Sequence, residues 1–137
     1  MIGLLQRVRH AQVDSDGERL AAIGSGLLVL VGVQHHDGAR ERDRLLQRLL
    51  AYRVFADDNG RMNRALSQTG GGLLLVPQFT LAADTRKGNR PGFGGAAAPE
   101  HGATLFAELV AAAGDAHAPV AAGRFGADMQ VASVNDG

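Results

Sequence analysis

The sequence predicts an α/β fold, a mixed β-sheet with a barrel-like core and two main helices, in a single domain over residues 1–137. Three observations carry that expectation. Extended segments outnumber helical ones, the helical segments fall between extended ones, and residues 27–31 and 73–76 are apolar at every position. Unbroken runs of that length suit strands buried on both faces. A chain of 137 residues is long enough for one core and short for two.

Residues 2–13 read as extended, with Val8 and Val13 flanking more polar positions. Asp16-Gly17 is a hairpin turn signal, because Gly accepts positive φ without steric cost. Residues 20–23 return, Gly24-Ser25-Gly26 breaks the chain, and the apolar run 27–31 follows. Asp37 is expected to cap a helix that runs to Tyr52. Leu45, Leu46, Leu49 and Leu50 form its apolar stripe, with Arg40, Glu41, Arg44, Gln47 and Arg48 toward solvent. Asp57-Asp58-Asn59-Gly60 is a turn, and Gly70-Gly71-Gly72 leads into the run 73–76. Pro99 opens a second helix at a favoured first-turn position. Its stripe is Leu105, Phe106, Leu109, Val110 and Ala113, and Gly114 is expected to end it. Residues 92–98 form a loop, and residues 120–122 and 129–134 are closing strands.

Composition narrows the function. Fourteen Lys and Arg balance fourteen Asp and Glu, so the formal net charge is zero. The distribution is uneven: residues 1–39 carry −1, residues 40–99 carry +5 and residues 100–137 carry −4. Thirteen of the basic residues are Arg, the type suited to bidentate phosphate contacts. The zero sum argues against bulk attachment to nucleic acid, yet it averages over a basic middle that can meet RNA. Cys is absent, which excludes a disulfide framework, a thiolate metal site and a cysteine nucleophile. No apolar run reaches the roughly 18 residues of a membrane span. The start, Met1-Ile2-Gly3-Leu4-Leu5-Gln6-Arg7, lacks signal-peptide architecture. A soluble, cytoplasmic protein with no membrane or DNA partner is the expectation.

Several chemistries find no support. His35-His36-Asp37 offers ligand types, but consecutive loop residues rarely converge on one ion. His10, His101 and His117 show no ligand spacing, so no metal is expected. No Ser lies in a nucleophile elbow. The triple Gly at 70–72 lacks the Lys-Ser/Thr of a phosphate loop and precedes a strand. The informative stretch is Leu73-Leu74-Leu75-Val76-Pro77-Gln78-Phe79-Thr80-Leu81. Pro77 removes a ladder donor, which confines it to an edge or bulge. An amide, an aromatic ring and a hydroxyl follow at once. Backbone N–H groups freed at such a break can form an oxyanion site for acyl transfer. Beyond them Arg86, Lys87 and Arg90 make a basic loop suited to phosphate. The pattern by itself is also met by a plainer reading, a bulged strand and a charged loop.

These residues belong to a larger set. It includes Gln6-Arg7-Val8, Gly26-Leu27-Leu28-Val29-Leu30, Tyr52-Arg53-Val54-Phe55 and Gly60-Arg61-Met62-Asn63. It continues with Gln78-Phe79-Thr80-Leu81-Ala82-Ala83-Asp84-Thr85, Arg90-Pro91, Gly123-Arg124-Phe125-Gly126-Ala127-Asp128-Met129-Gln130-Val131 and Val134-Asn135-Asp136-Gly137. In all of them, and in register along the whole chain, the sequence resembles the D-aminoacyl-tRNA deacylases of the bacterial and eukaryotic type. The resemblance implies the deacylase-type three-layer fold and a homodimer. It implies hydrolysis of the ester between a D-amino acid, or mischarged glycine, and the 3′-terminal adenosine of tRNA. No cofactor is implied. Gln78, Phe79 and Thr80 become the catalytic end of the pocket, and Phe125 and Met129 its adenosine side. Asn135 and Gly137 belong to a second motif, and Arg86, Lys87 and Arg90 are candidate contacts to tRNA phosphates.

An aminoacyl ester is already activated, so positioning and oxyanion stabilisation supply much of the acceleration. Either the Thr80 hydroxyl attacks, or water attacks with help from the ribose 2′-OH. The second is favoured, because no base is visible to deprotonate Thr80. In this family the second motif continues Gly-Pro, and a carbonyl held by that cis peptide enters the partner's pocket and rejects L side chains by a clash. Two departures stand out. Pro77 replaces the usual Ser, removing an N–H and a hydroxyl from the pocket wall. The sequence stops at Gly137, where the family continues with Pro and a final strand, so truncation after Gly137 is expected. The other readings are a catalytically impaired tRNA-end-binding dimer and a Thr80-dependent hydrolase of small esters.

Overall fold

The computed structural model describes residues 1–137. Strand β1 (Ile2–Ser15) turns at Asp16-Gly17 into β2 (Glu18–Ile23), and β3 (Gly26–Gly32) follows. Along β1 the pairing runs from Ile2↔Gly32 through Val8↔Gly26 to Ala11↔Ile23 in one antiparallel register. β2 and β3 are thus one long return strand, interrupted at Gly24-Ser25. Helix α1 (Ala39–Ala51) comes next, then a small hairpin of β4 (Phe55–Ala56) and β5 (Met62–Arg64), and a single helical turn α2 (Leu66–Thr69). β6 (Gly72–Pro77) runs parallel to β3, and β7 (Val120–Ala122) parallel to β6, after the crossover through helix α3 (Pro99–Ala116). β8 (Gln130–Asn135) returns to the free side of β1, pairing Val8↔Asn135 through Asp14↔Gln130, with a bulge between Val8 and His10.

Alternation along β3 and β6 builds two apolar layers, as period-2 strands must. Leu27, Val29, Val31, Leu73 and Leu75 meet Leu46 and Leu49 of α1 and Phe106 and Leu109 of α3. Leu28, Leu74 and Val76 face the other way and pack with Val8, Ala11, Val13 and Ile23 inside the curl of the sheet. Each fully buried Leu contributes about 1.5–3 kcal/mol relative to exposure. β3 and β6 approach closely where they begin. A Cβ on Gly26 would lie 1.9 Å from the Gly72 carbonyl oxygen, so only glycine fits there.

Strand ends shift by up to two residues from their expected positions, and two helix boundaries move for a physical reason. The cap of α1 is Gly38, not Asp37. Asp37 is buried and pairs with the Met1 ammonium, while its second oxygen accepts the Gln34 N–H at 2.7 Å. Gly38 N–H is met instead by Glu41, at 3.0 Å. Helix α3 passes through Gly114 and ends at Ala116, where the His117 N–H donates to the Ala113 carbonyl. The His117 ring nitrogen lies 2.7 Å from the Gly71 carbonyl, so a tertiary contact anchors that cap. None of the helices is long and apolar enough to cross a membrane.

Candidate active site

β6 delivers the site, and its hydrogen-bond phase explains how it ends in proline. Gly72 donates to Ser25 and Gln78 to Val31, so even positions face β3. Leu73 donates to Pro119, so odd positions face β7. β7 pairs with β6 only as far as Leu75↔Ala122. The nitrogen of Pro77 therefore points past the end of β7, and its missing N–H costs the ladder nothing. The expectation of an edge-like position is met locally, within an otherwise central strand.

Gln78 leaves the strand at φ −146° and ψ 84°, and Phe79–Ala82 close a 3₁₀ turn. The first N–H groups of such a turn have no acceptor inside it. Those of Phe79 and Thr80 are the donors at this strand end. The Gln78 side-chain amide donates to the Thr80 hydroxyl. The Phe79 ring stays exposed and meets Phe93 edge-on.

The segment between β7 and β8 forms the facing wall. Gly123 lies against both Pro77 and Met129: a Cβ there would sit 2.8 Å from the Met129 sulfur. The Arg124 N–H donates to that sulfur at 3.3 Å. Phe125 leans on Phe106 of α3, ring centroids 6.5 Å apart. Gln78, Phe79, Phe125 and Met129 thus enclose a hollow of about 360 Å³, joined by Asp128 and Val131. Sequence reasoning missed Asp128, the one ionisable group in this wall. Its place beside Met129 in a recognisable motif was the available signal.

The remaining candidates fall elsewhere. Thr80 accepts the hydrogen bond of the Gln78 amide and is not part of the wall. Asn135 pairs with Val8, farther along β8 from the hollow. Gly137 follows Asp136, which is tied to Arg7 within β1: Arg7 Nε donates to the Asp136 carbonyl at 2.8 Å, and the Asp136 N–H returns a bond of 2.9 Å to the Arg7 carbonyl. Neither residue reaches the hollow of its own chain.

The basic loop forms a second hollow of about 530 Å³, lined by Asp84, Arg86, Lys87, Arg90 and Gly92. Paired backbone bonds between Asp84 and Gly92 close its base. Arg86 does not stand free. Its guanidinium donates to both Asp84 oxygens, at 2.9 and 2.7 Å. That contact, with the Arg86 backbone N–H, holds the Asp84 carboxyl below the usual range, and Asp84 raises Arg86 in turn. Lys87 and Arg90 form no ion pair and remain the available cations. No group of three or more His, Asp or Glu side chains is placed to hold an ion.

Residues 4–137 match the family model described as D-Tyr-tRNA(Tyr) deacylase. The chain is 61% identical to a D-aminoacyl-tRNA deacylase of Stutzerimonas stutzeri (strain A1501), across all of this chain and 94% of that one. It is 58% identical to a D-aminoacyl-tRNA deacylase of Alkalilimnicola ehrlichii, across all of this chain and 91% of that one. Among solved structures it resembles the c-Myc DNA Unwinding Element Binding Protein, with TM-score 0.93 and 33% identity over 98% of this chain and 91% of the other. It shares its fold with a probable eukaryotic D-amino acid tRNA deacylase at TM-score 0.79 and 20% identity, over 98% of this chain and 94% of the other. Matched by the family model over residues 4–137 and by relatives about 60% identical along its whole length, the chain belongs to the D-Tyr-tRNA(Tyr) deacylase family.

Proposed function

We propose that this chain hydrolyses the ester between a D-amino acid, or mischarged glycine, and the 3′-terminal adenosine of tRNA, and so proofreads chirality for translation. The observation that carries the reading is the convergence of Gln78 and Phe79 at the strand end with Phe125 and Met129 around one hollow. Phe125 and Met129 hold the adenosine, and the ester lies against the turn. The N–H groups of Phe79 and Thr80 stabilise the tetrahedral oxyanion, a role in which one donor is worth about 2.7–4 kcal/mol.

Water is the nucleophile, assisted by the ribose 2′-OH. The Thr80 hydroxyl is bonded by an amide donor, which has no capacity to take its proton. A covalent threonine needs a base in that position. Lys87 and Arg90 meet tRNA phosphates, with Arg86 held back by Asp84. No cofactor enters the reaction.

The protein acts as a homodimer of single-domain chains in the cytoplasm. All of β8 is exposed, and Asn135 and Gly137 stand away from the hollow of their own chain. Both facts suit a motif that serves the partner's pocket. The decisive experiment compares turnover of D-Tyr-tRNA with that of L-Tyr-tRNA, alongside light scattering. Selective D hydrolysis by a dimer is expected. Binding without turnover would replace the reading by a tRNA-end binder, and hydrolysis of simple esters without tRNA preference by a small-ester hydrolase.

A further inference from the structure

Aromatic residues are scarce, five Phe and one Tyr without Trp. Phe55 and Phe106 lie in the core, and Phe125 packs beside Phe106. The other two, Phe79 and Phe93, are 55% and 37% exposed and lie against each other, centroids 5.1 Å apart at 63°. Leaving two of five phenylalanines in water forgoes burial that the core secures elsewhere.

Their position explains them. Phe79 borders the hollow shared by Gln78 and Phe125. Its ring meets Phe93. Gly92, the preceding residue, borders the basic hollow with Lys87 and Arg90. A pocket, an aromatic pair and unpaired cations therefore follow one another across the surface. Proteins that grip single-stranded nucleic acid combine these parts, stacking bases on aromatic faces and tracking the backbone with cations. Asp84 and Arg86 neutralise each other, so the charge left beside the pair is positive.

We infer that the Phe79–Phe93 pair is a stacking platform for the nucleobase that precedes the terminal adenosine of tRNA, with Lys87 and Arg90 on the adjoining phosphates. This rests on the deacylase reading, which puts the terminal adenosine against Phe125 and Met129 and its ester at the Gln78-Phe79 turn. The platform extends the site from one nucleotide to at least two.

The test compares D-Tyr-tRNA with D-tyrosyl-adenosine, which lacks the preceding nucleotide. Phe93→Ala raises KM for D-Tyr-tRNA by about 5- to 150-fold beyond its effect on D-tyrosyl-adenosine. Phe93→Trp restores the lost affinity. Equal effects on both substrates, or none on either, would overturn the platform. So would a change of oligomeric state in Phe93→Ala by light scattering, which would make the pair a contact between copies of the chain. Binding of the trinucleotide CpCpA against adenosine, by fluorescence titration, is a second arm. There Phe93→Ala weakens CpCpA alone, and Lys87→Ala and Arg90→Ala each lower the salt slope by about 0.7. If wild type hydrolyses neither ester, the deacylase reading fails while this arm still decides the platform: unchanged CpCpA affinity in Phe93→Ala ends it.

Discussion

The side-chain amide of Gln78 donates a hydrogen bond to the hydroxyl of Thr80, two residues on and one turn away. An amide that donates to the hydroxyl cannot take its proton, so no base stands at Thr80. Thr80→Ala is therefore expected to lose about one hydrogen bond's worth of positioning, near fivefold in kcat. Loss of a covalent nucleophile costs about four orders of magnitude or more. A 2′-deoxy terminal adenosine, by contrast, abolishes turnover. Single-turnover rates on both substrates separate the two mechanisms, and an inactive Thr80→Ala that still binds tRNA would establish the nucleophile.

Pro77 ends β6 with its nitrogen facing the side where β7 has already stopped. Replacing it should leave the sheet intact. Pro77→Ser is expected to shift stability by less than about 1 kcal/mol in urea melts. It also returns a donor and a hydroxyl to the pocket wall, and one recovered hydrogen bond raises kcat/KM by about 2- to 10-fold. A variant with unchanged activity would show that the proline carries no catalytic cost.

The Asp37 carboxylate and the Met1 ammonium form an ion pair with both side chains almost wholly buried. Removing one partner leaves the other charge stranded. Asp37→Ala should destabilise the fold by about 3–5 kcal/mol, read as a lowered urea midpoint with the slope unchanged. A loss below 1 kcal/mol would mean that water reaches the ammonium.

Asp84 is held below the usual carboxylate range by Arg86. A lowered aspartate contributes above its ordinary pKa and stops contributing as pH falls through the lowered one. At neutral pH Asp84 is charged and competes with phosphate for Arg86. Asp84→Asn should release it, steepening the salt dependence of tRNA binding by about 0.7 per added contact. Wild type should acquire the same slope only in acid, below the ordinary aspartate range. An identical slope in both proteins at pH 7 would place Arg86 outside the RNA contact.

Much of this architecture is legible in the residue pattern. Residues 27–31 and 73–76 are apolar throughout because both faces of β3 and β6 are covered, and the Leu46–Leu49 and Phe106–Leu109 stripes mark the helix faces that cover one of them. The start of α1 is not legible locally, since Asp37 is claimed by Met1, 36 positions away. The end of α3 is likewise set by the contact of His117 with Gly71, against the local signal of Gly114. For the site, Gln78, Phe79, Phe125 and Met129 are recognisable through their motifs, whereas periodicity alone left them a bulge and a loop. Phe93 carries no local signal, because its meaning comes from meeting Phe79 across the fold. The pairing of Arg86 with Asp84 is equally a matter of side-chain geometry.

The pairing of β8 with β1 joins distant parts of the sequence and is expected to follow the rest of the sheet in folding. Gln6 and Asn135 are bonded across 129 positions of sequence, and contacts of such separation form late because the loop entropy must be met first. The long hairpin and the β3–β6 core can assemble before β8 arrives. Val131 and the Met129 wall cannot be in place until it does. The hollow then matures after the β3–β6 core, and during synthesis it cannot form until residues 129–131 have emerged. In refolding, far-UV circular dichroism should recover ahead of hydrolysis of D-Tyr-tRNA; simultaneous recovery would show that β8 docks with the core in one step.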